Sequence, residues 1–256
     1  MKTFILCGGF GTRLDKEGTL IAKPMVRIGN EPILMHIIKN YTDQGFNQFV
    51  FCLGHRSNTI SNYFLKENHK KIKIVKKEKG NTRFSYNSKK VNFVASLVYT
   101  GLNTGTGGRI KKAYNLLKLN EDIMMTYGDG LSNVSIKRLI KFHYRNNSKV
   151  TLTAVRPKHS YGVLKIKNNK VIDFNNENKT TNTYVNGGFF VLDKSSIKKI
   201  NNKNTFWEKE PLNFFVKKKK LLAFKHEGFW KSLDTLKDKN DFNILYKIKK
   251  KLPWKI

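Results

Sequence analysis

The stretch that decides the fold is residues 4–25, with the sequence FILCGGFGTRLDKEGTLIAKPM. Its first four residues form an uninterrupted apolar run, which predicts a strand covered on both faces, as in a parallel sheet. Three glycines follow directly, and they remove the Cβ atoms that would keep a ligand away from the backbone. The exposed N–H groups of such a loop form a concave donor site for anionic oxygens. The sequence therefore predicts a phosphate-binding loop after a buried strand, with glycines at Gly8, Gly9 and Gly11.

Three side chains around this loop suit a phosphate ligand. Thr12 offers a hydroxyl, and Arg13 offers a planar, permanently charged group that matches phosphate oxygens. Lys23 supplies a compact charge, and the adjacent Pro24 restricts the backbone beyond it. The spacing fits neither the Walker pattern nor the dinucleotide-binding fingerprint. On these residues alone, a phosphate site and an ordinary glycine-rich turn are equally good interpretations.

Length and composition favour a single α/β domain with an appended lobe, because 256 residues are enough to bury a sizeable core. No stretch reaches the roughly 18 apolar residues of a membrane span, and the N-terminus shows no secretory pattern. We therefore expect a soluble cytoplasmic protein. Cys7 and Cys52 fall in predicted buried strands, which favours free thiols over a disulfide or a ligand pair. The six histidines show no metal-binding spacing.

The formal net charge of +32 raises the hypothesis of nucleic-acid binding. The basic residues are mostly lysines spread along the chain among many asparagines, which indicates a bias of the whole sequence. The lysine runs at 217–220 and 249–251 are interpreted as solvated faces or ends. We expect this charge to attract anionic substrates, with affinity for polyanions at low salt as a side effect and no specific nucleic-acid partner.

Strand and helix patterns alternate along the first part of the chain. Residues 31–41 repeat apolar side chains at helical spacing, and residues 49–53 form a short apolar strand. Ser57 is expected to cap a further helix that runs to residue 64. This alternation predicts a mostly parallel sheet. Residues 70–90 are weakly patterned and are expected to form an edge strand and a mobile loop.

A second glycine-rich loop, TGLNTGTGGRI, covers residues 100–110 and precedes a helix predicted over residues 110–117. Arg109 lies at the start of that helix, where a cation suits the helix dipole only if something anionic or rich in carbonyl groups is nearby. The next predicted strand, residues 122–127, ends in GDG. Asp129 therefore lies at the rim where open α/β sheets bind ligands. Beside a phosphate loop, a metal-binding carboxylate is the better interpretation than a simple turn.

The second half of the chain changes period. A helix over residues 135–144 and a strand over residues 149–155 are expected to complete the sheet, and the following strands to form an antiparallel lobe over the cleft. Those strands are predicted at residues 162–166, 170–174 and 184–192, with a hairpin turn at 168–169. The motif NGGFFVL, residues 186–192, suits either the close approach of a polar ligand such as a sugar or a bulged strand.

The last segment contains a helical pattern, a strand and a terminal helix. Residues 206–215 carry WEKEPL, and residues 221–225 form the strand. Asp234 is either an N-cap for the last helix or a second metal-binding carboxylate. The expected organisation is one domain over residues 1–256, with a core at 1–155, a smaller lobe at 156–232 and a C-terminal helix at 233–256.

Seven motifs occur in the order GGFGTRL, KPM, TGGR, TYGDG, NGGFFVL, WEKEPL and FWKSLDT. Together they resemble the glucose-1-phosphate cytidylyltransferases, a family of sugar-nucleotide pyrophosphorylases, and the resemblance covers essentially the whole chain. It implies a Rossmann-like α/β fold: a mixed, mostly parallel sheet flanked by helices, with a smaller antiparallel sugar-binding lobe. It also implies Mg²⁺ dependence and a homo-oligomer.

The resemblance further implies roles for individual residues. Arg13, Lys23, Asp129 and Asp234 are expected to be catalytic, the two aspartates as Mg²⁺ ligands. The acceptor, a sugar 1-phosphate, is expected to contact Glu177, Lys179, Asn186 and Gly187. The nucleotide is expected to contact Leu6, Cys7, Gly8, Gly9, Phe10, Gly11, Thr12, Arg13, Lys23, Thr104, Thr106, Gly108, Arg109 and Gly128, with residues 104–109 reading the base.

The sequence departs from the family pattern in one motif that bears on the acceptor. The family usually carries Glu-Lys-Pro before its sugar-binding strand, and its lysine grips the sugar phosphate. Counting back from Asn186 without a gap places Asn176, Glu177 and Asn178 there, and Lys179 is the nearest substitute. This departure affects the prediction of the sugar-phosphate acceptor more than the prediction of the nucleotide.

Three hypotheses about function follow. The first is condensation of CTP with glucose 1-phosphate to CDP-glucose and pyrophosphate, for surface-polysaccharide deoxysugars. The second keeps nucleotidyl transfer but changes the phosphorylated acceptor. The third is a non-catalytic nucleotide- or polyanion-binding relative; the presence of both Asp129 and Asp234 argues against it, because a binder needs no carboxylate pair.

Overall fold

A computed structural model describes residues 1–9, 21–157, 163–167, 170–175, 184–248 and 251–256. The strands are β1 Lys2–Cys7, β2 Arg27–Ile28, β3 Glu31–Pro32, β4 Gln48–Leu53, β5 Ile72–Glu78, β6 Asn81–Asn87, β7 Asn92–Tyr99, β8 Ile123–Tyr127, β9 Gly130–Ser132, β10 Val150–Val155, β11 Val163–Lys167, β12 Lys170–Asn175, β13 Val185–Leu192, β14 Leu221–His226 and β15 Trp230–Ser232. The α-helices are α1 Ile33–Thr42, α2 Ser57–Asn62, α3 Thr106–Leu116, α4 Ile136–Arg145, α5 Glu210–Lys217 and α6 Leu236–Ile248. Short 3₁₀ helices cover Lys23–Met25, His69–Lys71 and Lys194–Lys199, and a π-helical turn covers Tyr63–Glu67.

Within the described residues, the central sheet has nine strands in the order β14-β10-β13-β8-β1-β4-β7-β6-β5. The parallel pairs are β1 with β4, β1 with β8, β4 with β7 and β10 with β14. β13 runs antiparallel to both β8 and β10, and β6 runs antiparallel to both β5 and β7. Seven of the nine strands therefore point in one direction, which confirms the expected mixed, mostly parallel sheet.

Parallel pairing brings the carboxyl ends of the strands to one edge of the sheet. Cys7 of β1 is paired with Leu53 of β4, and Leu53 is paired with Tyr99 of β7. Tyr127, at the end of β8, is paired with Leu6. The two glycine-rich loops and the GDG turn follow these strand ends. This edge is therefore where the sheet can bind a ligand.

Both faces of the sheet are covered by buried side chains. In β1, Ile5 and Cys7 contribute to one apolar core, and Phe4 and Leu6 contribute to the other. Helix α1 packs in the first core and α3 in the second. The unbroken apolar run at the start of the chain is explained by this arrangement, because a strand between two cores needs apolar residues on both sides.

Two local expectations are wrong. Arg56, not Ser57, is the N-cap of α2; it lies in the left-handed region at φ 52°, and no side chain caps the helix. Residues 70–90 form no long loop, because β5 and β6 pair as an antiparallel hairpin. Phe84 and Tyr86 of β6 are buried in the core, whereas every residue of β5 after Ile72 is exposed. The weak patterning of β5 reflects its place at the edge of the sheet.

The second half of the chain adds strands to the sheet in an unexpected way. β13 is inserted between β8 and β10, and β14 extends the sheet beyond β10, so these two strands do not belong to a separate antiparallel lobe. β11 and β12 do form an antiparallel pair apart from the central sheet. Residues 168–169, where a hairpin turn is expected, lie outside the described residues. The β10–β13 pairing shifts register between Leu152 and Ala154, which confirms an irregular strand pair beside NGG.

None of the helices in the described ranges is both long and apolar enough to cross a bilayer.

The C-terminal residues return to the first core. Trp254 is 1% exposed, and its backbone carbonyl accepts a hydrogen bond from Asn40 Nδ2 at 2.7 Å. The same amide nitrogen donates to the carbonyl of Ser132 at 2.6 Å. The indole Nε1 of Trp254 donates to His36 Nδ1 at 3.3 Å, and burial lowers the pKa of His36, which favours the neutral acceptor form. The tail is thus part of the core.

We predict that Trp254→Ala lowers the free energy of unfolding by about 3–5 kcal/mol, because it empties a fully packed indole site. Urea unfolding followed by circular dichroism measures the change. The matched control is Ile256→Ala, whose side chain is 52% exposed and whose removal should change stability by less than about 0.5 kcal/mol. Equal stability of the two variants would contradict a core role for the tail.

Candidate active site

Three predicted catalytic residues from distant parts of the chain meet at the carboxyl edge of the sheet. The Nζ atom of Lys23 lies 2.7 Å from Asp129 Oδ2 and 2.8 Å from Asp234 Oδ1. Lys23 begins a short 3₁₀ helix, Asp129 lies in the turn between β8 and β9, and Asp234 follows β15. Two carboxylates therefore share one ammonium group. We call these three residues the Lys23 cluster.

The two aspartates are held in place by a small antiparallel strand pair. Gly130 of β9 is paired with Ser232 of β15, and the N–H of Leu233 donates to the carbonyl of Asp129 at 2.8 Å. These bonds fix the two chain segments side by side. The hydroxyl of Ser232 donates to Asp234 Oδ2 at 2.6 Å.

Asp234 does not cap the last helix. Thr235 Oγ1 accepts a hydrogen bond from the Asp238 N–H at 3.2 Å, and Asp238 Oδ2 accepts one from the Thr235 N–H at 2.9 Å. This reciprocal arrangement is a capping box that starts α6 with Thr235. Of the two alternatives for Asp234, the N-cap is therefore wrong, and its carboxylate turns toward Lys23 instead.

The Lys23 ammonium is stabilised by its two partners. Burial alone would lower the pKa of Lys23, but the nearby carboxylates of Asp129 and Asp234 outweigh burial and raise it. A raised folded-state pKa means that this ion pairing contributes its full stability below the unfolded value of about 10.4. The contribution is lost as the pH rises through the folded-state pKa. At neutral pH the positive charge is present.

A cavity of about 610 Å³ opens beside the Lys23 cluster. Thr104, Thr106 and Arg109 reach it from the second glycine-rich loop. The predicted site residues that line it are Leu6, Cys7, Gly8, Gly9, Lys23, Thr104, Thr106, Arg109, Gly128 and Asp129. The structure thus brings most of the described nucleotide-binding candidates to one concave surface. Phe10, Gly11, Thr12 and Arg13 lie outside the described residues.

Arg109 joins the ends of three strands. It is 4% exposed, and its Nη1 donates to the carbonyl of Gly101 and to Thr100 Oγ1, each at 2.7 Å. Its Nη2 donates to the carbonyl of Gly8 at 2.9 Å. Longer bonds of 3.2 Å and 3.0 Å reach the carbonyls of Leu53 and Leu102. A carbonyl-rich environment thus explains an arginine at the start of a helix.

Burial lowers the pKa of Arg109, yet a guanidinium stays protonated in proteins. Its terminal amines are already bonded to protein acceptors within the loops. Arg109 therefore lines the cavity mainly as a residue that holds the loop backbone in place. Its terminal nitrogens already donate hydrogen bonds to protein acceptors. The expectation that residues 104–109 read the nucleobase stays a prediction.

The glycine at position 8 makes room for the Arg109 side chain at the edge of the cavity. A Cβ atom at Gly8 would overlap the guanidinium, and so would one at Gly54. The arginine is sandwiched between these two glycines. By contrast, a Cβ at Gly9 would meet no atom within 4 Å of the described residues. Of the two described glycines in the first loop, Gly9 is the one that leaves room for an approaching phosphate.

Gly108 also has a packing role. A Cβ there would overlap the carbonyl of Lys203, and the N–H of Gly108 donates to the carbonyl of Thr205 at 3.1 Å. Gly108 therefore packs against residues 203–205, and its expected contact with the nucleotide stays a prediction.

Acceptor candidates lie at the rim. Asn186 Nδ2 donates to the hydroxyl of Tyr127 at 3.3 Å, and Tyr127 lines the cavity. A Cβ at Gly187 would meet Val155, and the carbonyl of Gly187 accepts a bond from Trp230 Nε1 at 2.8 Å. Gly187 thus supports the strand pair, while Asn186 is near the cavity. Glu177 and Lys179 lie outside the described residues.

Sequence reasoning missed a carboxylate that links the two sides of the site. Glu208 accepts hydrogen bonds from Thr106 Oγ1 and from the hydroxyl of Tyr127, each at 2.5 Å. Burial raises the pKa of Tyr127, and the adjacent Glu208 raises it further, so the phenol keeps its proton. Glu208 lies in the WEKEPL motif, but nothing in its spacing to other motifs signals this contact. Asn103, Asn204 and Phe206 line the cavity as well.

The two cysteines are free and buried, as predicted. Burial raises the pKa of Cys52 to about 12, and burial followed by the proximity of Cys52 raises the pKa of Cys7. Neither thiol is therefore a nucleophile near neutral pH. Among the described residues, no group of three or more histidine, cysteine, aspartate or glutamate side chains could hold a metal ion.

Residues 2–243 match the family model described as nucleotidyl transferase. The chain belongs to this family. The nucleotidyl transferase family acts on a nucleoside triphosphate and a sugar 1-phosphate, and the chain is an enzyme of this kind. The site described above lies at the carboxyl edge of the sheet, where open α/β sheets bind ligands.

Two curated nucleotidyl transferases are similar over nearly their full length. The chain is 40% identical to glucose-1-phosphate cytidylyltransferase of Salmonella typhimurium strain LT2, over 100% of this chain and 99% of that protein. It is 32% identical to the probable glucose-1-phosphate cytidylyltransferase of Bacillus subtilis strain 168, over 96% of each chain.

Solved structures share the fold. HddC from Yersinia pseudotuberculosis, complexed with GMP-PN, matches with a TM-score of 0.69 at 22% identity, over 96% of this chain and 99% of that one. A putative glucose-1-phosphate thymidylyltransferase from Bacillus anthracis matches with a TM-score of 0.68 at 16% identity, over 98% and 97%.

We predict that Arg109→Met lowers the free energy of unfolding by about 3 kcal/mol or more, because several buried acceptors lose their donor. Chemical denaturation measures the change. Arg145→Met, which removes an exposed guanidinium from the end of α4, is the matched control and should change stability by less than about 0.5 kcal/mol. A stability equal to that of the control would show that Arg109 is not the brace of these loops.

Proposed function

We propose that this nucleotidyl transferase condenses CTP with glucose 1-phosphate to form CDP-glucose and pyrophosphate. The observation that carries the chemistry is the Lys23 cluster, of which Lys23 and Asp129 line the cavity. The choice of substrates is supported by the similarity to glucose-1-phosphate cytidylyltransferases over the full chain.

The reaction requires two anions to meet. An oxygen of the sugar phosphate attacks the α-phosphorus of CTP, and the bond from that phosphorus to the pyrophosphate oxygen breaks. The nucleophile is already negatively charged, so it needs no general base. Two unit charges at 4 Å repel by about 4 kcal/mol at an effective dielectric constant of 20. Lys23, protonated and at the cavity wall, is placed to offset part of this repulsion.

The aspartates of the Lys23 cluster fit a magnesium ion. Mg²⁺ prefers oxygen ligands and is usually bound by one or two carboxylates together with substrate phosphates and water. Asp129 and Asp234 each direct an oxygen to the same ammonium, which marks a position where positive charge is strongly stabilised. When held by these carboxylates, the ion would neutralise negative charge that develops on the phosphates.

The proposal also includes the cellular location, the oligomeric state and the biosynthetic role of the enzyme. Because both substrates are phosphorylated metabolites, we place the reaction in the cytoplasm. A homo-oligomer and a role in surface-polysaccharide deoxysugar synthesis stay predictions from the resemblance.

A second candidate keeps CTP and changes the acceptor. It is favoured by one observation: Asn176, Glu177 and Asn178 stand where the family usually has Glu-Lys-Pro. A panel of sugar 1-phosphates separates the two candidates, since only the first expects glucose 1-phosphate to be the best acceptor.

We predict that Asp129→Asn and Lys23→Met each lower the rate of pyrophosphate release from CTP and glucose 1-phosphate by about 100-fold or more. The first change removes a proposed metal ligand, and the second removes the charge that offsets phosphate repulsion. A coupled phosphate assay with Mg²⁺ measures the rate.

The matched control is Asp43→Asn, an exposed aspartate at the end of α1 that should leave the rate unchanged. Binding of CTP by the wild-type protein without pyrophosphate release, across the whole acceptor panel, would favour the non-catalytic alternative.

A further inference from the structure

One aromatic side chain on the cavity wall has no structural explanation within the core. Phe206 is 51% exposed and lines the cavity, whereas the adjacent Trp207 is fully buried. An exposed phenyl ring forgoes the stabilisation that burial would give it. Single exposed apolar residues are common on surfaces, but this ring lies at a concave site that receives a ligand.

The backbone on both sides of Phe206 is anchored to the second glycine-rich loop. The carbonyl of Thr205 accepts a hydrogen bond from the Gly108 N–H at 3.1 Å. The N–H of Trp207 donates to Thr106 Oγ1 at 2.8 Å. The close packing of Gly108 on residues 203–205, described above, thus has a consequence: it holds Phe206 at the cavity.

The nucleobase needs a binding surface other than Arg109. The terminal amines of Arg109 are bonded to loop carbonyls and Thr100, so they cannot also recognise a base without breaking those bonds. The cavity that Phe206 lines is also lined by Asn103, Thr104 and Asn204. An asparagine amide carries both donors and an acceptor, which suits the edge of a cytosine ring. An aromatic face next to amides is the usual composition of a base-binding pocket.

We propose that Phe206 stacks on the cytosine of CTP and is a base-binding residue of the nucleotide site. This inference rests on the proposed function for the choice of base. Lys209 Nζ lies 5.3 Å from the centroid of the ring, over one of its two faces. The base takes the other face, and Asn103 and Asn204 contact its polar edge.

Titration calorimetry of the full chain in the presence of Mg²⁺ tests this assignment with two probes. The first is CTP, and the second is inorganic tripolyphosphate, which has the phosphates but no base. Loss of one base–aromatic stack corresponds to weakening by about 5- to 150-fold, so Phe206→Ala should weaken CTP binding by that factor. Binding of tripolyphosphate should stay unchanged. Phe206→Trp, which keeps an aromatic face, should bind CTP as the wild type does.

Tyr144→Ala is the matched control, because this ring on α4 is 52% exposed and does not line the cavity. It should bind CTP as the wild type does. The assignment is overturned if Phe206→Ala binds CTP normally, or if it loses CTP and tripolyphosphate equally. It is also overturned if Phe206→Ala dissociates an oligomer in gel filtration while CTP affinity is unchanged, since the ring then belongs to a subunit contact.

The same variants separate this inference from the proposed function. Phe206-dependent binding of CTP without pyrophosphate release in the presence of sugar 1-phosphates contradicts only the proposed reaction. Pyrophosphate release from CTP with the same KM for CTP in wild type and Phe206→Ala contradicts only the stacking.

Discussion

The rest of the site depends on the hydrogen bonds that the Arg109 guanidinium donates to the ends of the strands. The guanidinium donates to carbonyl groups at the carboxyl ends of three parallel strands and so holds these ends together: Gly8 beyond β1, Leu53 at the end of β4 and Gly101 beyond β7. Gly8 and Gly54 exist as glycines because the guanidinium occupies the space beside them. One buried cation thus aligns both glycine-rich loops at the cavity. A lysine could not do the same, because it lacks the planar fork that reaches several acceptors at once.

The Lys23 cluster was accessible from sequence, since its members occupy motifs that follow strand ends. Parallel strands bring their carboxyl ends to one edge, so residues directly after β8 and near the first loop must be neighbours. Asp234 was harder, because a helix start favours aspartate as a cap. The capping box of Thr235 and Asp238 resolves this ambiguity only in three dimensions.

Other features could not be read from the chain. Periodicity identified β13 as a strand but not its place between β8 and β10, because alternation reports which faces are buried and not which strand is adjacent. A glycine in the sequence indicates that a side chain is absent, but it does not indicate which group occupies the space that a side chain would fill. At Gly8 that group is Arg109, and at Gly108 it is the backbone of Lys203. Glu208, which connects Thr106 with Tyr127, gave no signal because its partners are 102 and 81 residues away in sequence.

The β5–β6 hairpin at one edge of the sheet suggests one role for the many lysines of this chain. Among the described strands, β5 is the last of the sheet and has one row of backbone donors and acceptors without a paired strand. An open strand of this kind is a template for association with other sheets. Its exposed side chains include Ile74 and Val75, which would add to that tendency, but Lys73, Lys76 and Lys77 lie among them. Bringing two such strands together would place like charges in contact. The lysines of this strand therefore act as a guard against aggregation, independently of any catalytic role.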